Sequence, residues 1–159
     1  MFTWHDVINI MISVLIILPL VNLIHQSGHA VFARMFGGKV ALTLGRGKHF
    51  FSIGELEVKR IYFLDAFNQY EKLKVDTRWS HTLVYAGGAF FNLFPVLIVN
   101  ALVFNGFIEW HPLLDKFTYF SAYFIFFSLF PVQYSEEHPS DGWAIYSIWK
   151  HGIKSDTID

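Results

Sequence analysis

His25 and His29 stand four residues apart in Leu23-Ile24-His25-Gln26-Ser27-Gly28-His29-Ala30, at the end of an apolar run. At that spacing on a helix, two imidazoles project from one face and their nitrogens can converge on one tetrahedral Zn²⁺. The pattern is HExxH with one letter changed, because the Glu that takes a proton from water beside the metal is here Gln26. An amide accepts no proton at neutral pH, so these residues keep a metal site and lack its general base. Losing such a base costs about 10² to 10⁴ in rate. With eight histidines in the chain, a chance pair is the competing reading. Polar side chains in a membrane segment are costly unless they share a partner, which favours the metal.

Composition supplies that membrane setting. Of the 159 residues, 53% are hydrophobic, 19% aromatic and only 16% charged, and the mean hydropathy is +0.38. These values predict one α-helical integral membrane domain covering residues 1–159. A net charge of −1 offers no basic excess for nucleic acid, and the absence of Cys leaves His and carboxylate as the zinc ligands.

Three apolar segments are expected as spans, at about 7–24, 79–104 and 117–130, the third short for a full crossing. The first lacks the basic start and cleavage site of a signal peptide and reads on as helix to the Gly37-Gly38 stop. Between the first two spans, residues 39–63 alternate polar and apolar with Gly punctuation, predicting a small antiparallel sheet of two to four short strands. The charged stretch 65–78 is expected as a surface connection. Nine of the twelve Lys and Arg lie between the first and second spans: Arg34, Lys39, Arg46, Lys48, Lys59, Arg60, Lys72, Lys74 and Arg78. Lys150 and Lys154 lie in the tail. The positive-inside rule then places the N-terminus outside, and the sheet and C-terminus on the cytosolic side.

That topology returns the segment after Pro131 to the depth of the His pair, so a third ligand is sought there. Pro139-Ser140-Asp141-Gly142-Trp143 supplies Asp141, ahead of an apolar stretch able to form a helix. Asp141 also suits a plain helix cap. Opposite two histidines at one depth, it reads as the third metal ligand. Glu136 and Glu137 read as a solvated acidic turn and His138 as interfacial, while His49 and His81 receive no role.

Taken together, His25-Gln26-Ser27-Gly28-His29 and Ser140-Asp141-Gly142 resemble the two motifs of the site-2 protease family of intramembrane zinc metalloproteases. Leu44-Gly45-Arg46-Gly47 resembles the small sheet that follows the family's first motif. Tyr85-Ala86-Gly87-Gly88-Ala89-Phe90-Phe91-Asn92 resembles its Gly-Pro-x-x-Asn element, with Ala89 in place of Pro. The resemblance implies a three-transmembrane-helix core with the sheet at the cytosolic face and zinc held by His25, His29 and Asp141. It further implies that residue 26 is the general base and that Asn92 meets substrate or the developing oxyanion. The implied substrate is a transmembrane or membrane-proximal protein segment in the lipid bilayer. With Gln26 the chain is expected to hold such a segment and cleave it poorly. Two alternatives stay open: a pseudoprotease that binds membrane partners without cutting, and a small metal-transporter subunit whose His and Asp line a pathway.

Overall fold

One continuous helix, Trp4–Met35, opens the described chain and has three parts: α1 (Trp4–Ile12), a π turn (Ser13–Ile17) and α2 (Leu18–Met35). The computed structural model describes residues 3–70, 73–133, 139–152 and 157–158. Thr3 and Asp6 cap the helix reciprocally, Thr3 N donating to Asp6 Oδ2 at 2.8 Å. The π turn has a cause in the sequence. Pro19 has no N–H, so it cannot bond the carbonyl of Leu15 four residues back. The Tyr62 hydroxyl donates to Leu15 O at 3.1 Å instead, tying the helix to the sheet.

β1 (Val40–Ile53) and β2 (Leu56–Tyr70) form a long antiparallel hairpin. Gly45 and Gly47, at φ 88° and 89°, break its register, so Leu42 and Leu44 each have two β2 partners: Asn68 and Leu56, and Ala66 and Val58. The hairpin therefore curls back on itself around Leu44, Val58 and Ala66. The sheet expected over about 39–63 is longer: β2 runs on to Tyr70, so Asp65 to Tyr70 are strand rather than surface connection. A two-residue strand, β3 (Thr157–Ile158), pairs with β2 opposite Gln69 and Asn68.

α3 (Arg78–Phe104) is capped by Thr77 and crosses α2 at Gly28 and Gly87. A Cβ at Gly87 would lie 2.7 Å from the Gly28 carbonyl oxygen, so the two backbones touch with no room for a side chain. α4 (Pro112–Leu129) returns beside this pair, Lys116 donating to Asn9 Oδ1 at 3.2 Å near the start of the first helix. α5 (Asp141–His151) buries Ala144 and Ile148 against Ala30, Ala33, Val84 and Tyr85.

Among the described residues, two helices, Trp4–Met35 and Arg78–Phe104, are long and apolar enough to cross a membrane. Their most apolar windows are only 17% and 22% buried, leaving Ile8, Ile16, Leu20, Phe90, Phe94 and Leu97 facing outward. The expected three-transmembrane-helix core is corrected by this finding. A helix does form where the third span was expected, but Asp115, Lys116 and the hydroxyls of Thr118, Tyr119, Tyr123 and Ser128 dilute its apolar surface.

Candidate metal centre

α2 places His25 and His29 on the face it turns toward α3, both buried, with ring centroids 4.8 Å apart. Asp141 meets them from the first turn of α5. It is not that helix's cap. Ser140 holds the cap, its Oγ accepting from Trp143 N at 3.1 Å and donating to Phe130 O at 2.7 Å. The carboxylate is thus left to the site, 3% exposed.

Asp141 Oδ2 lies 3.3 Å from His25 Nε2 and 3.6 Å from His29 Nε2. Two ligand atoms about 2.0–2.2 Å from a tetrahedral zinc lie about 3.3–3.6 Å apart, so each His–Asp pair stands at the spacing one ion requires, and the three ligand atoms lie within 4.8 Å of one another. The three residues are the one such group among the described residues. His29 adds a chemical argument. Its Nδ1, 2.8 Å from Val84 O, donates to that carbonyl, which in the neutral ring leaves the lone pair on Nε2. Nε2 is buried without a hydrogen-bond partner and faces a carboxylate oxygen. With the ring neutral, two acceptors face each other in a buried site, an arrangement that a cation between them satisfies.

Gly88 of α3 makes the space. A Cβ there would lie 2.5 Å from His25 Nε2 and would also strike His29 Nε2, so any side chain would occupy the point where the donors converge. Buried His–Asp pairs at tetrahedral spacing, an unsatisfied nitrogen and this hollow fit zinc, which His25, His29 and Asp141 could hold.

Gln26 is held elsewhere. Its Nε2 donates to Ala66 O at 2.9 Å, and its Oε1 accepts from Asn68 Nδ2 at 2.8 Å. Asn68 Nδ2 also donates to Gln26 O at 2.6 Å. Both ends of the amide are therefore used in fastening α2 to β2, a role that needs one donor and one acceptor. Asn92 is fully buried, with Nδ2 3.2 Å from His25 Nδ1.

A cavity of about 250 Å³ opens onto the site. Tyr123, Phe124 and Phe127 of α4 wall it on one side, Leu64 to Ala66 of β2 on another, and His25, Gln26 and Asp141 also line it. Asn92 is not among its described lining residues. The sequence reading missed Asp65, which lines the same cavity and accepts from Arg46 Nε at 2.9 Å, and it missed Asn68. Their signal was the strand alternation continuing past Phe63. Glu136, Glu137 and His138 lie outside the described residues. His81 belongs to another network, 3.1 Å from the Tyr70 hydroxyl and 2.9 Å from Asp76, and His49 contacts Ser52 on the exposed hairpin.

No protein-family model and no solved structure matches the chain. It is 45% identical over 152 residues, 96% of each chain, to a Bacillus subtilis (strain 168) protein described as uncharacterized membrane protein YwmF. The two span-length helices accord with that description: this is a membrane protein. At that identity over nearly its whole length, the chain belongs to the family of the Bacillus subtilis membrane protein YwmF.

Proposed function

We propose that the chain is a zinc-binding membrane protein of the site-2 protease type that holds a transmembrane or membrane-proximal protein segment and cleaves it very slowly. The observation that carries this reading is the buried His29 Nε2, without a hydrogen-bond partner and 3.6 Å from the Asp141 carboxylate, with His25 beside them. When bound, zinc would polarise a peptide carbonyl and acidify water. The chain's own residues supply the rest. His25, His29 and Asp141 hold the ion, and the α4 aromatics give the cavity an apolar wall for side chains. Gln26, engaged at both ends by Ala66 and Asn68, takes no proton, which favours holding over cutting.

An apolar peptide carrying a hydroxamate tests the reading directly, since it needs both the ion and the cavity. It is expected to bind the zinc-loaded protein in detergent and to lose that binding after chelation or on Phe124→Asp. Binding indifferent to zinc would remove the proposed site. The charge bias of the segment between the two span-length helices supports an N-terminus outside with the sheet inside. Because the chain has no Cys, single cysteines report this cleanly. Thr3→Cys should react with an impermeant maleimide on intact cells and Ser52→Cys only after lysis; the opposite pattern reverses the orientation.

A further inference from the structure

We propose that Asn92 fixes the tautomer of His25, as a positioning residue of the metal site rather than a group that meets substrate; this rests on the zinc reading above. Asn92 is wholly buried and lies outside the described cavity wall, so a bound segment cannot reach it without rearrangement. Its amide lies 3.2 Å from His25 Nδ1, while Oδ1 is buried without a hydrogen-bond partner. The amide oxygen and nitrogen exchange places by a half turn about the last side-chain bond. So turned, Oδ1 accepts the proton of His25 Nδ1, beside the Gly88 backbone that also hydrogen-bonds this ring. His25 Nε2 then carries its lone pair toward Asp141 Oδ2, 3.3 Å away, as His29 Nε2 already does.

Both imidazoles are thereby set by one helix. Val84, Gly88 and Asn92 follow at four-residue intervals on α3 and share one face of it. Val84 O receives the His29 Nδ1 proton, Gly88 leaves the hollow and hydrogen-bonds His25 through its backbone, and the turned Asn92 Oδ1 shares the His25 proton. This stripe explains why an amide is buried at position 92: a metal-ligating His uses its second nitrogen to donate to an oxygen, and that bond orients the ring.

The test is a double-mutant comparison of zinc affinity by chelator competition on purified full-length protein. Asn92→Leu should weaken zinc about 10- to 100-fold. Asn92→Asp, which keeps an oxygen at the same reach, should retain or raise the affinity. In a His25→Ala background, Asn92→Leu should add no further loss, because the ring it positions is gone. An equal loss in both backgrounds, or failure of Asn92→Asp to preserve affinity while its zinc-free melting matches that of the parent, overturns the assignment. If His25→Ala itself leaves zinc affinity unchanged, the metal site fails first and takes this inference with it, a result distinct from either of those.

Discussion

Purified protein should bind about one zinc per chain, and His25→Ala, His29→Ala and Asp141→Ala should each weaken that binding by more than the roughly 10²-fold that outer-shell changes cost. Each substitution removes one of three protein donors from a buried site that has no described substitute within reach. Gly88→Ala belongs in the same series and is the most selective member. It deletes no donor, yet its methyl would lie 2.5 Å from His25 Nε2, in the space the ion needs. Its loss of zinc should match that of a ligand variant. Metal content after gel filtration, with thermal melting of the zinc-free forms, separates loss of the site from loss of the fold. Full stoichiometry in all four variants would falsify the metal centre and return the His pair to coincidence.

The features legible in the sequence were those whose meaning is local. Four-residue spacing on a helix is enough to put His25 and His29 on one face, and Gly37, at φ 79°, ends that helix where Gly37-Gly38 was expected to. Asp141 was expected beside the His pair through the return of the chain to one depth, and it stands there in the first turn of α5, with Ser140 taking the cap. Long-range partnerships were not legible. Nothing near Gln26 in the chain foretells that its amide is matched by Ala66 and Asn68, 40 and 42 residues away. The length of β2 was hidden for a related reason: Asp65 to Tyr70 look like a polar connection until Asn68 and Tyr70 prove buried. α4 misled in the other direction. Its many Phe and Tyr side chains read as a span, yet aromatic rings with hydroxyls and a charged first turn make a less apolar surface than the first two segments.

Gln26→Glu should raise cleavage of a bound membrane substrate by on the order of 10² or more, and the geometry adds a cost that the sequence did not show. Glutamate can still accept from Asn68 Nδ2, but it has no proton to give Ala66 O, so one carboxylate oxygen would face a carbonyl oxygen at the distance where Gln26 now donates. That repulsion turns the carboxylate toward the cavity that residue 26 already lines, where a base is needed. Leaving the Ala66 carbonyl unpaired costs about 1–3 kcal/mol, so the variant should melt at lower temperature while cutting faster. Gln26→Leu separates the two effects, since it loses the same bonds and gains no base: stability falls and cleavage stays at its low level. The comparison needs a substrate shown to bind every form, with His25→Ala added to Gln26→Glu as the zinc-deficient control. Equal cleavage by parent and Gln26→Glu would point to another carboxylate, Asp65 being the described one on the cavity wall besides Asp141. No cleavage by either, with zinc and substrate both bound, would mean that the site has lost more than its base and only holds its partner.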